Sequence, residues 1–313
     1  MDSGIVKELT GVLIKNIDAS IIKEKNIDLI LSGGAFNASY LIGCLYFIRE
    51  MCEKGLIIVN KVSTCSASSM IGLLFIVDKL DIFIEKMYEL LVGSFKRNRN
   101  VIFDEESLST IIKIIEDVLP DDVISRINGR LYITYYDVTK CEQVVKSSFE
   151  DVSDIIRTIR RSCFIPYITM DKLMEENRYI DGGTPYIFNK EFGVNRIYIN
   201  LLCGVDKIKD SMIIKRDKIV MHRILGGILD VHNFFFKCKK TQMCCYVEDW
   251  GVIRMIEFKM LEWRLYTMCV ILYLVIKVRD DIVYKYYKDN KLINFVASKM
   301  RRWLSEIVET NCV

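Results

Sequence analysis

Two short apolar runs, each stopped by small residues and followed at once by a helical pattern, constrain this chain more than any other feature. Ile27–Ser32 (IDLILS) is apolar enough for a strand buried on both faces, and it ends in Gly33–Gly34. Tyr40 to Cys52 then has helical spacing, with Leu41, Leu45, Ile48 and Met51 on one side. A second run ends at Lys61–Ser63, and helical spacing resumes from about Ser68 to Leu91. Asp104–Ile115 opens with acidic residues ahead of apolar periodicity, which marks a helix start. Arg130–Tyr136, after the Asn128–Gly129 turn, and Ile197–Leu202 read as further strands. This alternation predicts an α/β fold with a mostly parallel central sheet sandwiched by helices. Past residue 220 the pattern becomes mainly helical, which predicts a helical C-terminal region.

Composition narrows the function classes. With 51% hydrophobic residues and only 3 Pro in 313, the chain has material for a real core and is not a disordered segment. A net charge of +3 does not imply nucleic acid, and runs such as Lys207–Lys209 and Lys215–Arg216–Lys218 read as solvated surface. The N-terminus MDSGIVKELTG has no apolar signal core, so the 11 Cys are expected as free thiols. Cys44, Cys52, Cys141, Cys163 and Cys269 sit in or beside apolar stretches. Cys238, Cys244 and Cys245 with His232 match no common zinc spacing, so no metal is expected. The apolar run Leu265–Ile276 is shorter than the ~20 residues that a spanning helix needs. It reads as a buried or interfacial helix, and no transmembrane segment is expected. Leu292–Val308 carries Leu292, Val296, Met300, Trp303 and Ile307 at helical spacing with Lys299, Arg301 and Arg302 between them. That segment suits docking on the sheet or contact with an anionic membrane surface. The expected location is cytoplasmic, or peripheral on intracellular membranes.

Two turns carry possible chemistry. At Ser32–Gly33–Gly34–Ala35, a strand gives way to a helix and presents backbone N–H groups without Cβ obstruction. Such a turn suits developing negative charge, as in an oxyanion hole. The segment Gly33–Ala38 fits neither a dinucleotide fingerprint nor a phosphate loop, and a plain tight turn explains it equally. The second turn, Val62–Gly72 (VSTCSASSMIG), is again strand, sharp turn, helix. A nucleophile elbow places its serine there and needs small residues two before and two after. Here those positions hold Thr64 and Ser68 around Cys65, Ser66 and Ala67. Taken alone, the run reads more simply as a helix cap.

Taken together, the segments resemble the patatin-like acyl hydrolases. That family carries a Ser-Gly-Gly-Gly-x-Lys/Arg-Gly turn, then a Gly-x-Ser-x-Gly elbow, and later Asp-Gly-Gly or Asp-Gly-Ala. Ser32–Ala38, Thr64–Ser68 and Tyr179–Ile180–Asp181–Gly182–Gly183 resemble these motifs in order. Ser162–Cys163–Phe164–Ile165–Pro166 resembles the family's Ser-x-x-x-Pro segment, and strand Tyr132–Tyr136 with Asp137 its "T-D-x-x-x-G" strand end. The resemblance spans residues 25–205 and implies a patatin-like core there, with 206–313 as a mainly helical extension packed on it. It implies Ser66 as nucleophile, Asp181 as general base, and N–H groups around Gly33, Gly34 and Ala35 as the oxyanion hole. It also implies a phospholipid or neutral-lipid substrate, peripheral membrane contact, no nucleic acid and no cofactor. The chain departs from the pattern at Ala35, Asn37 and Ala38 in the loop and at Thr64 and Ser68 in the elbow. Asn37 replaces a cation but can still donate a hydrogen bond.

These departures leave a second reading, a lipid- or membrane-binding protein that keeps the fold without turnover. A Ser–Asp–His triad through His222 or His232 and a Cys65 nucleophile are further alternatives.

Overall fold

The computed structural model describes residues 3–15, 24–82, 84–86, 101–102, 105–166, 172–203, 213–214, 218–237 and 239–263, with positions 17, 22, 169, 211 and 267. The basic runs 207–209 and 215–216, Cys238, Cys269, segment 292–308 and all of 265–276 but position 267 lie outside the described residues, as does the boundary at 205/206.

The chain order is α1 (Ser3–Ile14), β1 (Asn26–Leu31), α2 (Ala38–Glu53), β2 (Ile58–Cys65) and α3 (Ala67–Ile76), then β3 (Val101–Ile102), α4 (Glu105–Val118) and α5 (Val123–Ile127). There follow β4 (Leu131–Asp137), β5 (Glu142–Lys146), α6 (Val152–Ser162), β6 (Tyr179–Asp181) and β7 (Val194–Ile199). The described chain closes with β8 (Ile213–Ile214), α7 (Lys218–Lys237), β9 (Cys244–Tyr246) and a helix over residues 252–263. Seven strands form one sheet in the order β5-β4-β2-β1-β7-β9, with β6 also on β4. The four central strands pair in parallel, whereas β5, β6 and β9 join antiparallel. The expected mostly parallel sheet with helices packed on it is therefore what forms.

Alternation along each strand assigns the two faces of the sheet. Leu29, Leu31, Val62, Ile133, Ile197 and Ile199 point to the main core, which α2, α3 and α7 cover. Ile30, Tyr198 and Cys245 point the other way, against Phe188 and Phe258, with Tyr132, Tyr186 and Trp250 at the margin. Phe258 is the residue through which helix 252–263 joins this smaller core. Its Val252, Ile253, Ile256, Met260 and Trp263 stay exposed.

Helix α2 is buried on nearly every side, because it lies between the sheet, α1, α3 and α7. The α2–α7 crossing is close enough to need glycine on both helices. A Cβ on Gly43 would lie 1.9 Å from the Ile224 carbonyl oxygen, and one on Gly227 would lie 2.0 Å from that of Tyr40. The Cys44 thiol donates to the Gly227 carbonyl across the same contact, at 3.5 Å.

Two expectations need correction. The helix expected over Ser68–Leu91 ends at Ile76, where Asp78 takes φ +58° and the chain turns before helix resumes at residues 80–82. Arg49 of α2 holds this break through Asp78 at 3.2 Å and Asp81 at 2.8 Å. The strand expected at Ile197–Leu202 starts earlier and ends at Ile199, because Asn200 and Leu201 turn toward the site. Past residue 220 the described residues are mainly helix, over 221–237 and 252–263, and β9 adds an edge strand to the central sheet.

Candidate functional site

The parallel strands β1, β2 and β7 end together, and ligands of open α/β sheets bind at such carboxyl ends. β2 stops at Cys65, opposite Thr134 of β4. β5 takes one edge of β4 from Ile133 to Asp137, so β6 lies on the other, with Asp181 opposite Tyr135. β6 thus continues the line of β2 from the opposite direction. Ser66 and Asp181 meet end to end, and the Ser66 hydroxyl is near enough to the Asp181 carboxylate to stabilise its charged form.

Ser66 sits on a strained turn, with φ +55° and ψ −139°. A non-glycine residue there costs roughly 1–3 kcal/mol and persists only when its surroundings fix it. Those surroundings are visible. The Ser66 N–H donates to Ser162 Oγ at 2.9 Å, and Ser162 Oγ donates to the Thr134 carbonyl at 2.7 Å. The Ser66 carbonyl accepts from Ser69 Oγ at 2.6 Å and from the Ser69 N–H at 2.9 Å. Ser66 occupies the N-cap position of α3, yet its side chain makes no capping bond. The cap reading therefore does not describe Ser66, whose hydroxyl faces the aspartate.

The missing elbow glycines are compensated locally. Thr64 Cγ2 packs where a Cβ on Gly72 would stand, only 2.6 Å away, so α3 carries the glycine that the strand lacks. Thr64 Oγ1 donates to the Tyr132 carbonyl at 3.0 Å. Ser68 Oγ accepts from the Cys65 N–H at 3.0 Å and lies 2.9 Å from the Leu31 carbonyl, tying the elbow to β1.

Asp181 is partly accessible as a residue, but protein surrounds its carboxyl group. Burial pushes its pKa up to about 6, against opposing hydrogen bonds from Ser66 and the Gly183 N–H. The Gly183 bond is 2.7 Å long. Gly182 has no room for a side chain, since a Cβ would lie 2.5 Å from the Thr134 carbonyl oxygen. Phe164, in the Ser162–Pro166 segment, accepts the Asp181 N–H through its carbonyl at 2.8 Å.

The glycine turn lies directly against the elbow. A Cβ on Gly33 would be 2.8 Å from Ser66 Cβ. Two of the expected anion-binding groups are otherwise engaged, however. The Gly33 N–H donates to Cys65 Sγ at 3.0 Å. Asn37 is fully buried, and its amide donates to the Leu201 carbonyl at 2.9 Å, so it anchors the loop to the end of β7. Among the described residues the Gly34 and Ala35 N–H groups have no acceptor. Ala35, where the family has glycine, sits at φ +42°.

Cys65 is completely buried, and burial next to Asp181 drives its thiol pKa well up. It packs as a small apolar group, with its sulfur accepting the Gly33 N–H. His232 lies between Phe47, 5.9 Å away, and Phe236, stacked at 5.5 Å, while His222 is exposed on the same helix. Among the described residues, neither histidine hydrogen-bonds Ser66 or Asp181. Sequence reasoning gave no role to Ser162 or Gly72, although both lie inside or beside the motifs that it singled out.

This constellation of a glycine loop, a strained serine and an aspartate on an Asp-Gly-Gly turn coincides with a family model described as patatin-like phospholipase, which matches residues 29–189. The chain belongs to the patatin-like phospholipase family. Among curated proteins, it is 24% identical over 164 residues to mouse (Mus musculus) 1-acylglycerol-3-phosphate O-acyltransferase Pnpla3, covering 51% of this chain and 40% of that protein. It is 26% identical over 161 residues to the mouse omega-hydroxyceramide transacylase, covering 49% of this chain and 26% of that protein. With the human (Homo sapiens) omega-hydroxyceramide transacylase it shares 24% identity over 184 residues, 56% of this chain and 34% of that protein. The chain thus spans well under half the length of these relatives. The patatin-like region includes every motif residue above and stops before α7 and β9. Among the described residues no helix is long and apolar enough to cross a membrane.

Proposed function

We propose that this chain is a serine lipid acyl hydrolase in which Ser66 is the nucleophile and Asp181 the general base. One observation carries the reading. Ser66 is held in a strained conformation that serves no cap, with its hydroxyl on a carboxylate whose pKa lies near 6. At neutral pH that carboxylate is mostly ionised, yet basic enough to take the serine proton.

Ser66 Oγ attacks the ester carbonyl as Asp181 removes its proton, and the carbonyl oxygen becomes an oxyanion facing the Gly34 and Ala35 N–H groups. Collapse breaks the ester C–O bond, and the proton on Asp181 passes to the departing alcohol. Water, deprotonated by Asp181, then attacks the acyl-enzyme and releases the fatty acid. With Gly33 and Asn37 engaged elsewhere, the hole has two backbone donors. Losing one donor costs about 10²–10³ in turnover in comparable sites, so slow turnover is expected. Transfer of the acyl group to an alcohol acceptor is a second reading, supported by the acyltransferase and transacylase names of the relatives.

The test is an assay on short-chain esters and on phospholipid or triacylglycerol micelles, with and without an added alcohol acceptor. Ser66→Ala and Asp181→Asn should each abolish turnover, and a His222→Ala/His232→Ala double variant should retain it. Wild-type protein that binds lipid without turnover, unchanged by Ser66→Ala, would instead identify a lipid-binding protein with lost chemistry.

A further inference from the structure

A pocket of about 410 Å³ lies on the smaller-core face of the sheet, away from Ser66, between the segment after Asp181 and helix 252–263. Its size is within the range of about 300–1,000 Å³ usual for small-molecule sites. Tyr186, Ile187, Trp250, Met255 and Phe258 give it apolar walls. None of the residues of the Ser66 site lines it.

The charges around it nearly cancel. Arg196 pairs with Glu248 at 2.7 Å, and Lys259 with Glu262 at 2.6 Å. Of the charged residues that line the pocket, Lys190 is then left without an ion-pair partner among the described residues, and it is exposed. An apolar cavity with two closed ion pairs and one open cation at its rim suits a ligand with a hydrocarbon body and a single negative charge.

Gln143 gives the pocket a physical route to the candidate site. It lines the cavity, and its amide nitrogen lies 2.8 Å from the Thr184 carbonyl oxygen, 3.1 Å from Thr184 Oγ1 and 3.3 Å from the Gly182 carbonyl oxygen. Thr184 also accepts from Thr134 Oγ1 at 2.7 Å. The turn held in this way is the one whose Gly183 N–H bonds Asp181. A ligand pressed against Gln143 therefore touches the residue that fixes the turn behind the aspartate.

We propose that this pocket binds a single-chain amphiphile with a carboxylate head, and that Gln143 passes its occupancy to the Gly182–Thr184 turn. The binding claim does not depend on turnover at Ser66. The experiment uses the full chain carrying Ser66→Ala, titrated calorimetrically with dodecanoate and with dodecan-1-ol below their aggregation limits. Hydrogen–deuterium exchange of the 181–185 stretch is followed in parallel. Dodecanoate should bind more tightly than the alcohol. Lys190→Gln should weaken dodecanoate at least five-fold and leave the alcohol unchanged, and Met255→Glu, at a half-exposed wall position, should remove both without lowering the melting temperature. Bound dodecanoate should slow exchange in 181–185, and Gln143→Leu should abolish that protection even at dodecanoate concentrations that saturate the variant. Absent binding, or binding indifferent to both Lys190→Gln and Met255→Glu, would overturn the site. Binding without any change in exchange at 181–185 would overturn the link through Gln143.

Discussion

Thr64 and Gly72 show how a damaged motif is repaired one residue at a time. A Cβ on Gly72 would meet the Thr64 methyl at 2.6 Å, so Gly72→Ala should destabilise the protein by roughly 1–3 kcal/mol, the usual cost of overpacking a core. In a Thr64→Ser background, which removes the methyl and keeps the hydroxyl, most of that loss should disappear, and urea unfolding of the four proteins closes the cycle. Asp181 makes a second residue-scale prediction. Hydrolysis should fall about ten-fold per pH unit below its pKa of about 6. Stability runs the other way. An unfolded aspartate titrates near 3.9, so the folded state binds the extra proton between about pH 4 and pH 6 and loses stability as pH rises through that window. A shift of this size corresponds to roughly 2–3 kcal/mol, less where water reaches the group. Asp181→Asn should therefore raise the urea midpoint at pH 7.5 and leave it nearly unchanged at pH 4.

At the scale of elements, the crossing of α2 and α7 decides whether the region beyond the patatin-like match belongs to the core. Gly43→Ala and Gly227→Ala each place a methyl within 2.0 Å of a carbonyl oxygen on the facing helix. Each should cost roughly 1–3 kcal/mol or more by urea unfolding. Gly11→Ala in α1, with nothing within 4 Å, should do the opposite and gain up to about 1 kcal/mol of helix propensity. Because α2 begins just after the Ser32–Asn37 turn, the two crossing variants should also depress any turnover more than their stability loss explains. Which elements could be read in advance follows from the same physics. β1, β2 and β4 are buried apolar runs next to glycine or small-residue turns, and sequence shows them directly. β5, β6 and β9 are short antiparallel strands of 5, 3 and 3 residues, too short for a two-residue period to stand out. α3 contains only small and apolar residues, so nothing in its composition marks the stop that Arg49, from another helix, fixes at Asp78.

For the molecule as a whole, motif order in the sequence located the candidate site, whereas its donor inventory required coordinates. Gly33 and Asn37 both stand where the family pattern puts anion-binding groups. Only the positions of Cys65 and the Leu201 carbonyl show that both donors are taken. No periodicity reports such contacts, because their partners lie 32 and 164 residues away. The order of the sheet has a consequence for how the chain is made. β1 precedes β7 in the chain and lies at the centre of the sheet, yet Asn26 finds its neighbour Val194 only 168 positions later (194 − 26). Until then one edge of a strand that carries Ile27, Leu29, Ile30 and Leu31 has no partner, and such an edge invites pairing with other nascent chains. Closure of the sheet must therefore wait until the chain has emerged past β7, and pairing of that long sequence separation is the kind that slows folding.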